Sequence, residues 1–237
     1  MKIFVVNLRK NVDRMSSMDR QLTRYGFPYE RVEAVCGKCL AEDERHRDFA
    51  AIHSFLAMGR RLSDGEIGCA LSHVGIYKDM IAKRIPMALV LEDDICCADD
   101  FPFVLDRAVN FLNVHKPQVV LFSAHGVPSV KDKKVVRIDG GMCTDAYLIT
   151  LPAARIIHQA NYPIVTVADR WSRWCRRYGL EVYRIFPTTV CQMNETFGTD
   201  VYEGFRPVTK RLWRYWRKVL RVPEVLLDWL WFCCMGR

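Results

Sequence analysis

Met87-Ala88-Leu89-Val90-Leu91-Glu92-Asp93-Asp94 decides how this chain is read. Pro86 breaks the chain just ahead of it, and an unbroken apolar run follows, as in a strand of a parallel sheet covered on both faces by helices. The run ends abruptly in three acids, and in open α/β sheets the carboxyl ends of strands are where ligands sit. Neighbouring carboxylates repel one another, so an acidic cluster in that place calls for a cation. If the chain stays extended, Glu92 and Asp94 point the same way and share one hard divalent ion, while Asp93 points elsewhere. A solvated acidic turn that caps the next helix is the competing reading.

Upstream, residues 2–8 read as a short apolar strand, and a helix from near Asp13 stops at Gly26 before Pro28. Residues 29–35 alternate as an exposed edge strand does, and strand, helix, strand predicts an α/β sheet. Residues 42–60 read as helical with a mixed pattern. Ser63-Asp64-Gly65-Glu66 fits a capping box, and it opens a helix over about 64–83 with Ile67, Leu71, Val74, Ile76 and Met80 as its apolar positions. Downstream, Asp99 or Asp100 caps a helix with Pro102 in its first turn. Residues 118–122, 135–138 and 146–150 read as strands, and Pro152 starts a helix to about Ala160.

A length of 237 residues suits one catalytic-size domain with a short appendage, and 50% hydrophobic with 26% charged residues excludes a disordered or low-complexity chain. The run Ile3-Phe4-Val5-Val6 is too short for a signal-peptide core, so the ten cysteines are expected as mostly free thiols in a reducing cytoplasm. No apolar stretch is long enough to span a membrane. Cys36-Gly37-Lys38-Cys39 invites a zinc or redox reading, but no second CxxC or close histidine pair accompanies it. Cys96-Cys97 and Cys233-Cys234 read as small apolar fillers.

The net charge of +8 is uneven. Arg206, Lys210, Arg211, Arg214, Arg217, Lys218, Arg221 and Arg237 face only Glu224 and Asp228 in the last stretch, which leaves residues 1–205 nearly neutral. The division predicted is a domain over 1–205 and a tail over 206–237. On a helical wheel the basic residues of the tail between 210 and 221 fall on one arc, and Leu212, Trp213, Tyr215, Trp216, Val219 and Leu220 fill the other. Residues 208–232 are therefore expected on an anionic membrane surface, with a helix packed on the domain or a dimer contact as the rival reading. No nucleic acid is expected as a partner, because the main body carries no basic footprint.

Several separated motifs resemble those of glycosyltransferase family 25, the lipopolysaccharide and lipooligosaccharide glycosyltransferases with collagen galactosyltransferase relatives. Val6-Asn7-Leu8 with Asp13-Arg14 is similar to the family's opening element, and Val32-Glu33-Ala34-Val35 with Gly37-Lys38 to its next strand end. The helix motif is matched by Leu62-Ser63-Asp64-Gly65-Glu66-Ile67-Gly68-Cys69-Ala70-Leu71-Ser72-His73, the acidic motif by Leu91-Glu92-Asp93-Asp94, and a later strand by residues 145–150. Cys36 and Cys39 depart from the family's polar residues in the second motif.

The resemblance implies a GT-A-like α/β fold, a UDP-sugar donor carrying galactose or a related hexose, and inversion at the anomeric carbon. It implies Glu92 and Asp94 as ligands of Mn²⁺ or Mg²⁺, with Asn7, Arg14, Ser72 and Asp93 at the donor. Asp169, after Val165-Thr166-Val167-Ala168, resembles the family's later acidic residue and is the expected base, with Glu66 and His73 as the other catalytic candidates. A helix N-cap is the alternative for Asp169, the capping box for Glu66, and a satisfied semi-buried histidine for His73. Tyr147 suits a core aromatic, and Asp145 either faces a sugar or caps a turn. The function expected is hexose transfer to a lipid-linked oligosaccharide by a cytoplasmic protein peripheral on the inner face of the cytoplasmic membrane. A catalytically silent, membrane-associated sugar-nucleotide-binding protein and a nucleic-acid-binding module are the alternatives.

Overall fold

The structure is a computed structural model, and it describes residues 1–123, 134–141 and 143–193. The tail predicted at 206–237, Cys233-Cys234 and the boundary at 205 lie outside the described residues. The chain opens with strand β1 (Lys2–Asn7), helix α1 (Val12–Arg24) and edge strand β2 (Glu30–Glu33). Gly26 takes a positive φ of 69° where the helix is left behind, a conformation that costs a residue without Cβ little.

The stretch 42–60 is two helices, α2 (Glu42–Asp48) and α3 (Ala51–Met58). Phe49 between them is extended, pairs with Ile164 in an isolated parallel bridge, and the Ala50 amide donates to the Ile164 carbonyl. A tertiary backbone pairing thus interrupts what propensity would have continued. Helix α4 (Asp64–Ala82) starts on the predicted capping box, with the Glu66 amide on Ser63 Oγ and the Ser63 amide on Glu66 Oε2.

Strand β3 (Met87–Glu92) is followed by a turn at Asp93-Asp94 and then by β4 (Ile95–Cys97). Helix α5 (Phe101–Phe111) has Asp100 at its N-cap position without a side-chain cap, while Asp99 pairs with Arg24. After β5 (Gln118–Leu121) and β6 (Val135–Ile138) come β7 (Ala146–Thr150), α6 (Leu151–Asn161), α7 (Trp171–Tyr178), β8 (Glu181–Ile185) and β9 (Val190–Gln192).

Seven strands form one sheet in the order β2-β1-β3-β7-β5-β8-β6, and β4 pairs with β9 in a separate ribbon. Strands β2, β1, β3, β5 and β8 run one way, and β7 and β6 run against them. The sheet is therefore mixed: β3 is parallel to β1 but antiparallel to β7, a distinction that a continuous apolar run cannot carry. Alternate residues feed two cores. Phe4, Val6, Ala88 and Val90 pack with α4, α6 and α7, whereas Ile3, Val5, Leu89 and Leu91 pack with α1 and α5.

A close backbone approach welds α4 to the segment after β2. A Cβ on Gly68 would sit 2.4 Å from the Val35 carbonyl oxygen and 2.7 Å from the Gly37 nitrogen, and one on Gly37 would sit 1.8 Å from the Asp64 carbonyl oxygen. Gly75, on the same helix, has nothing within 4 Å of its Cβ position. Gly68→Ala is expected to destabilise the protein by about 1–3 kcal/mol, as overpacking does, and Gly75→Ala to be neutral or stabilising by up to ~1 kcal/mol. Urea denaturation of the two variants checks this; equal midpoints would show that the segment shifts freely.

Candidate active site

The carboxyl ends of β1 and β3 open into a cavity of about 490 Å³, walled by the start of α4, the segment 35–38 and the residues before β7 and α7. That size suits a drug-sized or nucleotide-sized ligand. All but one of the residues predicted for the site line it: Arg14, Glu66, Ser72, His73, Glu92, Asp93, Asp94 and Asp169, while Asn7 is not on its wall and reaches it only through the hydrogen bond it donates to Asp93. The cavity also takes in Lys10, Lys38, Cys69, Cys143, Thr144 and Gln192, none of which the sequence motifs had assigned a role.

The acidic run does not stay extended. The turn after β3 sends all three side chains toward the same cavity, so Asp93 does not point away as strand alternation requires. Each carboxylate has its own surroundings. Glu92 Oε1 accepts a hydrogen bond of 2.6 Å from the Thr144 hydroxyl and lies 3.3 Å from His73 Nε2. Burial works to raise the Glu92 carboxyl, but His73, Thr144 and Arg14 outweigh it and hold the group below the usual carboxylate range. Asp93 accepts from the Asn7 side-chain amide and, at 3.4 Å, from Arg14, yet burial still pushes it up.

Asp94 is buried and is the least satisfied of the three. Its Oδ2 is 3.9 Å from Arg14 Nη1, and its buried Oδ1 has no hydrogen-bond partner among the described residues. Burial, followed by the charges of Glu92 and Asp93, pushes its carboxyl up to about 7. A cation beside Asp94 would reverse both effects. The donor set of clustered carboxylate oxygens and an orphaned buried oxygen fits a hard divalent ion such as Mn²⁺ or Mg²⁺.

His73 is buried and fixed from behind. Its Nδ1 is 2.7 Å from the Tyr147 hydroxyl, which is in turn 2.8 Å from that of Tyr77, so Nε2 is the nitrogen turned toward Glu92. Tyr147 is a core aromatic with a polar end, packed edge-on against Trp171 at 5.5 Å. Asp145 is buried one residue beyond Thr144, accepts from Ser123 and its neighbour's amide, and anchors Glu92 by accepting the Glu92 amide at its carbonyl.

Glu66 and Ser72 are engaged locally. Glu66 completes the capping box and accepts from both terminal guanidinium nitrogens of Arg60, which together outweigh burial and hold its carboxyl low. Ser72 accepts from the Val35 amide and donates to the Gly68 carbonyl. Both shape the wall. Asp169 is different: Arg170 occupies the N-cap position of α7, and the Asp169 carboxylate instead accepts the Cys143 amide at 2.9 Å on the cavity wall.

The cysteines divide into one bonded pair and free thiols. Cys36 and Cys39 are joined as a disulfide, while the other six cysteines among the described residues are free, in keeping with mostly free thiols; of the two read as apolar fillers, Cys97 is buried and Cys96 is exposed. The CxxC spacing over a single 3-10 turn at Gly37–Cys39 brings the pair together.

Residues 1–171 match the family described as glycosyltransferase family 25 (LPS biosynthesis protein). Procollagen galactosyltransferase 2 of Homo sapiens is 29% identical over 180 residues, which cover 68% of this chain and 28% of that protein. Procollagen galactosyltransferase 1-B of Xenopus laevis is 33% identical over 174 residues, again 68% of this chain and 28% of the relative. A Rattus norvegicus protein named as a probable inactive glycosyltransferase 25 family member 3 is 27% identical over 65% of this chain and 29% of its own length. The chain thus spans less than a third of these relatives. A solved glycosyltransferase involved in glycosylation of the major capsid of PBCV-1 shows 13% identity and a TM-score of 0.33, over 85% of this chain and 75% of that one. The matched stretch contains the whole acidic turn, the α4 motif and Asp169, and on that match the chain belongs to glycosyltransferase family 25.

Proposed function

We propose that this chain is an inverting, metal-dependent glycosyltransferase with a GT-A-like architecture, moving a hexose from a UDP-sugar to a hydroxyl of a lipid-linked oligosaccharide of the lipopolysaccharide or lipooligosaccharide type. The observation that carries the proposal is the acidic turn at the end of β3, with an unpartnered buried oxygen on Asp94 facing a nucleotide-sized cavity. Galactose as the sugar is supported by the names of the relatives, which act on procollagen.

Asp94 and Glu92 would hold the divalent ion, which supplies neutralisation of the charge that builds on a diphosphate leaving group. Asp93, Asn7 and Arg14 fix the turn that presents them. Lys10 and Lys38 bring positive charge to the same cavity, where a diphosphate would be drawn. Asp169 stands on another wall and takes the proton from the acceptor hydroxyl as that oxygen attacks the anomeric carbon. His73 keeps Glu92 ionised and correctly turned through its own anchor on Tyr147. On the sequence pattern, the tail over 208–232 brings the domain to an anionic membrane surface, with the protein peripheral on the cytoplasmic face.

Purified protein is expected to release UDP from one or more UDP-hexoses only when Mn²⁺ or Mg²⁺ and an oligosaccharide acceptor are present. Binding of the UDP-sugar without any release would instead support a silent binding protein; one relative, from the rat, is named as probably inactive.

Asp94→Asn is expected to lose most metal-stimulated transfer. Without metal the same variant is expected to melt above the wild type at pH 8. The folded wild type holds a proton on Asp94 up to about pH 7, whereas the unfolded chain releases it near 3.8, so wild-type stability declines as pH rises between those values. Thermal melts in chelator from pH 5 to pH 8 check the sign; a parallel decline in Asp94→Asn would assign it to another group.

Asp169→Asn is expected to slow the single-turnover rate by about 10²–10⁴-fold with donor affinity retained, because a base acts in the chemical step. An equal fall in donor affinity would make it a binding residue. Truncation after Tyr202 is expected to preserve transfer to a soluble acceptor while reducing co-sedimentation with anionic vesicles, since each basic residue near such a surface contributes about 1 kcal/mol. Unchanged sedimentation at low salt would refute the surface role.

A further inference from the structure

Beneath the acidic turn lies a second donor set of different chemistry. Cys69 Sγ, a His73 ring nitrogen and a Glu92 carboxylate oxygen all lie within 4.8 Å of one another. Cys69 and His73 are four residues apart on α4, so both project from one face of the helix, and Glu92 meets them from the end of β3. All three line the cavity, which leaves an approach from solvent. We propose that Cys69, His73 and Glu92 form a site for a thiophilic divalent cation of the zinc class, with a fourth position open to the cavity.

Three features make this a built site. The Tyr147 hydroxyl on His73 Nδ1, backed by Tyr77, fixes the ring and leaves Nε2 to face Glu92. The Thr144 hydroxyl on Glu92 Oε1 fixes the carboxylate from the opposite side. Partners of this kind, one step behind the ligands, are what orient histidine and carboxylate in metal sites. The third feature is the mixture of donors. One thiol, one imidazole and one carboxylate match the ligand types that zinc accepts in tetrahedral sites, whereas Mn²⁺ and Mg²⁺ prefer oxygen alone. The oxygen cluster around Asp94 and the mixed set around Cys69 therefore select different ions while sharing Glu92.

Burial, then the charge of Glu92, holds the Cys69 thiol protonated in the metal-free protein. Binding forms a metal–sulfur bond and breaks the S–H bond, with its proton passing to solvent and no change of oxidation state. The consequence for transfer rests on the function proposed above: an ion held by Cys69 and His73 takes Glu92 away from the ion at Asp94, so zinc would inhibit an enzyme that manganese activates.

The test is Co²⁺ as a spectroscopic stand-in, titrated into the full chain and then displaced by Zn²⁺. A double variant, Cys36→Ser with Cys39→Ser, serves as a parallel sample in which the other cysteine pair cannot contribute. Both proteins are expected to bind one Co²⁺ with a thiolate-to-cobalt charge-transfer band in the near ultraviolet and to release a proton per thiol. Cys69→Ala is expected to lose the band, and Thr144→Val to keep it while binding roughly 10- to 100-fold more weakly. Thermal melts confirm that each variant is folded. A folded wild type without the band, or a Cys69→Ala protein that retains it, overturns the site. The two ideas fail separately: absent transfer with the band intact removes only the enzymatic reading, and normal manganese-dependent transfer without the band removes only the zinc site.

Discussion

Three carboxylates crowded at the end of one buried strand are the constraint around which the rest of this molecule is arranged. No single neighbour can neutralise them, and each is handled by a different part of the chain. Asn7 from the end of β1 and Arg14 from α1 settle Asp93, and His73 from α4 and Thr144 from the approach to β7 settle Glu92. Asp94 keeps a buried oxygen without a partner among the described residues. A globular protein tolerates such an imbalance where a ligand redresses it, which is why the cluster reads as a place of chemistry and not of stability.

The surroundings of the cluster are stiff. The Gly37 and Gly68 contact holds the segment 35–38 against α4 at backbone distance, and the capping box with Arg60 fixes the start of that helix. Ser72 ties the Val35 amide to the same helix. Several of the polar groups on this wall, Glu66, Arg60 and Ser72 among them, are therefore spent on holding shape. Preorganised donors of this sort need little reorganisation when charge develops in a bound substrate.

Much of this was legible in the sequence. The run before Glu92, the capping box at Ser63 and Glu66, and the proline-led helix after Thr150 each depend on local rules, and each element stands where those rules put it. The ordered motifs gathered a set of residues that one cavity does bring together. What local rules missed is what the tertiary fold decides. Alternation along an extended strand assigned Asp93 to the far side, and the turn overruled it. The Phe49 and Ile164 pairing split a helix that propensity left whole. Cys69 and Thr144 carried only the weak signal of standing four residues before His73 and one before Asp145, because their neighbour Glu92 lies far away in sequence.

The reversed strand β7 has a consequence for how the molecule is assembled. Asn7 meets Asp93 across 86 residues of chain and Glu92 meets Thr144 across 52, so no part of the acidic cluster is settled by near neighbours. When β3 emerges from a ribosome, β1 is already there to pair with one of its edges, but the other edge and Glu92 wait for a strand made much later. Until then the nascent chain carries a half-paired apolar strand tipped by repelling charges. Contacts of such long range slow folding and lengthen the exposure of unpaired edges. The cavity thus cannot be complete until the chain has been made as far as Gln192, the last of the described residues on its wall.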